Sequence, residues 1–397
     1  MVSAFPEVVE SHGLNAEDAE KLWNWVLRRQ GLAGDTKLPS VVEVAEVALG
    51  LHAARLPSPF ATVLARASTP DVAMDLFTPA SRSTVMTVRC MRKTLHTLPL
   101  SLAQAAHGAT VHFRERDALR MAVNAGLDAR TLSRVTESIA DLLGRDGALF
   151  HRDVETRLVG GCTTTAAVRV ALKLAWERGQ LAYVNETTGW NREHRKFALT
   201  GMLYPELDMA MDRAQATAQL VEVYFDRYGP ASLRDAMWWS GLSRSAITGA
   251  MSSSDQTWAA VRTPWADVPL YMHQWRFDEF RTTSAADHHT GLNFLAHEDV
   301  ALKAYFETRR RYLGGLAPRR AFNQIGEVLP TILFEGQVVG TWTWNTVTKA
   351  IACDVVRGAV PPFVRADVGR RARHLSEALR RGWAPVSARR QAFSAVL

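Results

Sequence analysis

Two short segments near the front of the chain carry side chains able to place water, move a proton or grip a phosphate. One is Gly50-Leu51-His52-Ala53-Ala54-Arg55, running into Ala61-Thr62-Val63-Leu64-Ala65-Arg66. The other is Arg89-Cys90-Met91-Arg92-Lys93-Thr94-Leu95-His96. An imidazole orients water and accepts its proton, while guanidinium and hydroxyl groups donate to phosphate oxygens. Taken alone, a single histidine on an otherwise apolar helix face fits packing better than chemistry, and Thr94 and His96 also suit the close of a helix. Other signatures are missing: no Walker A loop, no dinucleotide glycine fingerprint, no Gly-x-Ser-x-Gly and no His-Glu-x-x-His. His288-His289, with Asp287 before and His297-Glu298 after, is the one cluster that suggests a metal. Adjacent histidines point to different sides of an element and no ligand spacing emerges, so neither metal nor cofactor is expected.

These groups sit in a basic chain of 397 residues with net charge +7. Eight arginines against Asp367 and Glu377 make the stretch from Arg365 to Arg390 alone +6. Such a surface attracts polyanions, duplex DNA above all, although an arginine-rich solvated helix has the same composition. Hydrophobic residues at 47% and charged residues at 22% exclude wholesale disorder and collagen-like structure. The length suggests two to four domains at about 100–150 residues each. No apolar run approaches the ~18 residues of a membrane span, and no basic-then-apolar leader opens the chain, so a cytoplasmic protein is expected. Three scattered cysteines, Cys90, Cys162 and Cys353, fit reduced thiols.

The elements that must position these groups read as helical through the first half. Asn15 caps a helix over 16–30, with acids in its first turn and Arg28 and Arg29 in its last. Helical patterns follow over 41–54, 60–77, 81–91, 99–107, 115–126 and 130–144. The stretch 164–178 is a helix that stops at Gly179 before an extended Leu181-Ala182-Tyr183-Val184, the way a winged helix enters its wing. Over 220–251, helices broken at Gly229-Pro230 and Gly241-Leu242 give a helix-turn-helix pattern. From about residue 265, strands at 268–272, 330–334 and 337–344 point to a small barrel, with a helical insertion at 300–312 and a basic closing helix at 366–382.

Several motifs in order along the chain resemble the AlkZ/YcaQ-type bacterial DNA glycosylases. Gly50-Leu51-His52 and the Ala65-Arg66 helix end correspond to the family's Gly-Leu-Gln-x-Gln and Ala-Arg, and Met91-Arg92-Lys93-Thr94-Leu95-His96 to its Met-Arg-Gly-Thr-Leu-His. Tyr228-Gly229-Pro230-Ala231, Asp235, Trp239-Ser240-Gly241-Leu242, Phe277-Asp278-Glu279 and Gly336-Gln337-Val338-Val339-Gly340-Thr341-Trp342 extend the likeness, as does Gln30-Gly31-Leu32. The resemblance implies a mainly α protein with β: tandem winged-helix domains plus a small C-terminal β-barrel. The corresponding domains are a first winged-helix region at 1–125, a second at 126–200, a third at 201–260 and a β-barrel module at 261–397.

The departure from the family is central, since His52-Ala53-Ala54 replaces Gln-x-Gln. The resemblance puts His52 at the scissile N-glycosidic bond. Either its imidazole replaces both amides, or the site is dead and the protein only binds DNA. Ala54 leaves space for a larger adduct, and Ala54 and Arg55 are assigned to the substrate pocket. Arg92, Thr94 and His96, helped by Arg89, are expected to hold the strand near the lesion, with Arg244 as a recognition-helix candidate. The partner implied is double-stranded DNA carrying alkylated guanine, with no obligate protein partner. An N7-alkylated purine is cationic and leaves without a protein acid, so a sparse site suffices. No lysine lies near His52 in the sequence, so lyase chemistry is not expected. If neutral imidazole is required, excision should fall as pH drops through about 6.5. The rival reading is a winged-helix transcription regulator without catalysis.

Overall fold

The computed structural model describes residues 8–160, 163–284, 289–356, 358 and 360–384. Three sheets organise a largely helical chain. The largest has six strands: β2 (Leu51–His52), β3 (Val85–Arg89), β4 (Leu95–Pro99), β5 (Leu149–Phe150), β6 (Leu181–Asn185) and β7 (Arg195–Leu199). They lie in the order β2-β4-β3-β6-β7-β5. A second sheet pairs β1 (Val8–Gly13) in parallel with β8 (Trp258–Thr263), which pairs antiparallel with β9 (Ala266–His273). The third, β10 (Leu292–Leu295), β11 (Thr331–Phe334), β12 (Gln337–Asn345) and β13 (Ala350–Val355), is antiparallel throughout. Among the described residues no ladder joins β13 back to β10. The strand expected at 268–272 as part of the C-terminal module lies instead in the β1-β8-β9 sheet.

The first half is less helical than its sequence suggests. The expected helix at 81–91 is helical only over Pro79–Thr84, then becomes β3, where Val85, Thr87 and Arg89 alternate with Met86 and Val88 across the sheet. The helix expected over 41–54 stops at Val47. There Leu49 (φ 43°) and Gly50 (φ 103°) turn the chain into β2, and a Cβ at position 50 would lie 2.3 Å from Leu98 Cδ2. Only glycine permits that turn. Conversely, the separate helices expected at 99–107 and 115–126 are one, Leu100–Asn124. Gly108 does not break it, because its bare face lies against Ala216, whose Cβ would be 2.8 Å from an added Cβ. The insertion at 300–312 is a short helix Val300–Lys303 followed by a 3₁₀ turn at Arg309–Tyr312.

The helix expected over 60–77 is broken: it runs Ser58–Arg66, Ala67 bridges to Leu38, and only the short turns Asp71–Met74 and Asp75–Phe77 follow. The remaining expected helices form as read. The helix Thr165–Glu177 leads into β6, and Arg213–Tyr228, Leu233–Ser240 and Arg244–Ser252 succeed one another. The basic helix spans Pro362–Arg381, while Arg389 and Arg390 lie outside the described residues. A main apolar core runs from Leu22 to Leu379, and a smaller one gathers Ala118, Leu132, Ile139, Val168 and Leu181. The helix Leu100–Asn124 reaches both. Among the described residues no helix is long and apolar enough to cross a membrane.

Candidate active site

His52 ends the edge strand β2 and stands directly opposite His96 on β4. Side chains of such a pair share one face of the sheet. Their rings meet edge to face with centroids 5.6 Å apart. The helix face expected to carry His52 is thus a strand, and the ring is only 4% exposed. His52 Nδ1 is buried and has no protein partner. His96 Nδ1 donates to Thr94 O at 3.2 Å. Burial, with Lys303 adding to it, pushes the basicity of His52 far below the usual histidine range and that of His96 down to about 3. Both rings are therefore neutral at physiological pH. The expected loss of a neutral imidazole near pH 6.5 does not apply to this environment. Burial also pushes the Cys90 thiol up to about 12, which leaves it un-ionised beside His96.

The charged groups facing these imidazoles come from a distant stretch. Lys303 is 4% exposed and pairs with Glu298 at 2.6 Å. Glu298 also accepts from Val328 N–H at 2.7 Å. His297 approaches Glu327 at 3.7 Å, and Arg55 reaches both oxygens of Glu327 at 3.0 and 3.1 Å. Lys303 acts electrostatically on His52, His96 and His297, which corrects the expectation that no lysine lies near His52. Its ammonium is held by Glu298 rather than offered as a free amine. His297-Glu298, read as a metal candidate, belongs to this network, and no metal-binding cluster occurs among the described residues. His289 faces Glu335 at 3.6 Å, while Asp287 and His288 lie outside the described residues.

The motifs noted in the sequence turn out to frame this cluster. Arg66 is wholly buried and makes a two-pronged ion pair with Asp299 at 2.7 and 2.9 Å, which fixes the segment carrying Glu298 and Lys303. Asp235 accepts from Ser232, Phe306, Glu307 and Thr308 N–H and from the Thr308 hydroxyl, tying the helix Leu233–Ser240 to the chain beyond Lys303. Tyr228 donates to Ala48 O at 2.6 Å, just before the Gly50 turn. Gly241 (φ 80°) comes so close to Arg92 that an added Cβ would lie 3.3 Å from its nitrogen. Of the six described non-glycine residues with positive φ, Leu49, Arg92, Lys93 and Glu298 lie in or next to this cluster and its cleft, while Glu335 and Lys349 sit in turns of the β10–β13 sheet. Such strain costs about 1–3 kcal/mol per residue and gathers where function over-determines the backbone.

The residues expected to contact DNA divide into two groups. Arg92 stacks on Trp238 with its guanidinium 3.8 Å from the ring centre, and it lines an open cleft with Lys93, Arg116, Arg213, Ser243 and Ala246. Arg244 is exposed at the start of the helix bordering this cleft. Arg89 instead pairs with buried Glu177, which also holds Arg114 and Lys173, and donates to Lys93 O at 2.7 Å. Thr94 is half-buried and donates its hydroxyl to Met91 O at 3.1 Å, and His96 is buried beside His52. Ala54 is exposed next to the site. Sequence reasoning missed Lys303, Glu327, Trp238, Arg116 and Arg213, since long-range folding alone brings them here.

A family model described as DNA glycosylase AlkZ-like matches residues 46–381. Among solved structures, the Streptomyces sahachiroi DNA glycosylase AlkZ is similar, with a TM-score of 0.72 at 20% identity over 93% of this chain and 98% of that one. At that identity the likeness speaks for the fold. No curated protein matches the sequence. The motif order, the fold and a family match across most of the length set aside the non-catalytic regulator: the chain belongs to the AlkZ-like family and is a DNA glycosylase.

Proposed function

We propose that this glycosylase is monofunctional and hydrolyses the N-glycosidic bond of N7-alkylated purines in duplex DNA, with His52 holding the attacking water. The observation that carries this reading is a buried, neutral imidazole with an unpartnered nitrogen at the family's Gln position, paired with His96, which in turn feels the charge of Arg92 at the edge of the basic cleft. A neutral imidazole orients water through one nitrogen; with its basicity held so low by burial and Lys303, it positions the water rather than keeping the proton, which leaves to solvent as the bond forms. The cationic purine departs as a neutral base, and positive charge on the sugar is the remaining burden. Glu298 and Glu327 supply negative charge in the same cluster. The guanidinium groups of Arg92, Arg116, Arg213 and Arg244 suit successive phosphates, and the successive helices at 213–252 are read as a winged-helix unit presenting them.

Ala54 widens the family's second amide position, which favours bulky, even intercalated, antibiotic–guanine adducts over small methyl lesions. Repair of that kind confers self-resistance on a producing cell and takes place on chromosomal DNA in the cytoplasm. Single-turnover excision across a lesion panel tests the reading, from N7-methylguanine to a bulky N7-guanine adduct, with alkali to reveal abasic sites. His52→Ala should lower the rate about 10²-fold, the cost of a misplaced water, while DNA binding persists. Unchanged turnover removes His52 from the reaction. Strand cleavage before alkali overturns the monofunctional assignment and directs attention to Lys303.

A further inference from the structure

A small hairpin turn over residues 323–327 stands on the same polar cluster. Phe322 and Val328 bridge its base, and Val328 is bonded to Glu298 through both backbone groups. Inside the turn, Asn323 Oδ1 accepts from Ile325 and Glu327 N–H at 3.1 and 2.8 Å, and the Asn323 amide donates to Glu327 Oε2 at 2.8 Å. Gly326 takes φ 83°, with Trp238 4.0 Å from where its Cβ would be. Glu327 is the carboxylate that Arg55 grips. The turn is thus clamped at its base, at its side and from within. At its tip Ile325 is 75% exposed.

One exposed isoleucine is ordinary on any surface. This one differs in its setting. Trp238 beneath the turn packs against Phe306 with the rings tilted by 33° and centroids 4.8 Å apart. Arg92 lies over Trp238, Arg234 and Arg309 lie 4.7 and 4.9 Å from the Phe306 centroid, and Arg309 lies 4.5 Å from that of Phe322. An apolar point held rigid among guanidiniums is complementary to one thing these surroundings also favour: a base stack flanked by phosphates. Side chains such as isoleucine enter base steps as wedges, and the cost of unstacking is repaid by phosphate contacts and by access to the nucleotide.

We propose that Ile325 is a DNA wedge, inserting beside the lesion and filling the stack as the damaged nucleotide moves toward His52. The proposal rests on the site reading above and extends it to how the duplex is opened. The test uses the full chain with a duplex holding a tetrahydrofuran abasic analogue next to 2-aminopurine, whose fluorescence rises on unstacking, and in parallel duplexes with N7-methylguanine or a bulky N7-guanine adduct. Wild type should raise the fluorescence. Ile325→Ser should abolish the rise and slow excision about tenfold, with affinity largely kept because the cations remain. Ile325→Leu should restore both, and Val123→Ser, equally exposed on a remote helix end, should change neither. Wild type that gives no rise, or Ile325→Ser that keeps both the rise and the rate, overturns the wedge. If wild type leaves both N7-methylguanine and a bulky N7-guanine adduct uncut while the Ile325-dependent rise persists, the substrate reading fails and the wedge stands.

Discussion

Acidification should destabilise this protein over a window set by its buried imidazoles. His52, His96 and His107 are 4%, 3% and 1% exposed. Burial pushes His96 and His107 down to about 3 and His52 well below its usual range. For His107 the geometry agrees: Arg114 Nη2 donates to its Nδ1 at 3.2 Å, so that nitrogen must keep its lone pair. In the unfolded chain each ring titrates near about 6.5. Because the folded values lie below the unfolded one, the unfolded chain binds protons first. Stability is therefore whole above about 6.5 and is lost as pH falls below it. From about pH 7.5 to about pH 5.5 each of these rings costs about 1.4 kcal/mol, hence about 4 kcal/mol for the three, and His273, 1% exposed and likewise lowered by burial, adds to the loss. That is a large share of a typical net stability of about 5–15 kcal/mol. Glu177 and Asp226, which burial would raise but arginine partners hold low, enter only at more acid pH. Urea unfolding followed by tryptophan fluorescence across that range measures the slope. His107→Asn keeps an acceptor for Arg114 and removes one titration, so the slope should fall measurably, by no more than about a third because His273, His112 and His297 also titrate low. A midpoint that does not move with pH, or a slope that His107→Asn leaves intact, would refute the assignment of neutral buried rings.

The same burial predicts that single-turnover excision stays level as pH is lowered through about 6.5 for as long as the protein is folded, since His52 keeps its lone pair there; a decline centred on that pH would show an exposed ring. Arg66→Met should cost about 3–5 kcal/mol by stranding Asp299, and Arg66→Met with Asp299→Leu should recover much of it, read by the urea midpoint. Asp235→Ala removes the acceptor for five donors and should cost about 3 kcal/mol or more. Arg116→Gln with Arg213→Gln should weaken binding to damaged and intact duplex alike and lower the salt slope by about one for each phosphate no longer neutralised, measured by fluorescence anisotropy over a salt series.

Much of the helical frame was legible because caps and stops are local. Asn15 accepts from Asp18 N–H at the first helix, as its place before the acidic first turn suggests, and Ser232 and Ser243 cap theirs by the same local chemistry. The misread segments are those where tertiary packing outweighs local signal. Gly108 reads as a breaker until Ala216 is seen against it, and Val85–Arg89 reads as helix until β4 and β6 are seen on either side. The site divides in the same way. His52, Arg92 and Arg55 follow from motif and charge, whereas Lys303 and Glu327 lie more than two hundred residues from His52 and carry no motif of their own. Arg89 shows the reverse error: a guanidinium suited to phosphate is already engaged by a buried carboxylate from the helix Thr165–Glu177.

The strand that carries His52 is two residues long and meets a single neighbour. The flanking Gly50 turn and the β4 partner set its course, whichever side chain projects from it. Chemistry mounted on so slight a rail can be exchanged without rebuilding the house. That offers a physical reason why an imidazole stands where relatives carry an amide, and it marks residues 52–54 as the place to retool this enzyme for other damaged bases.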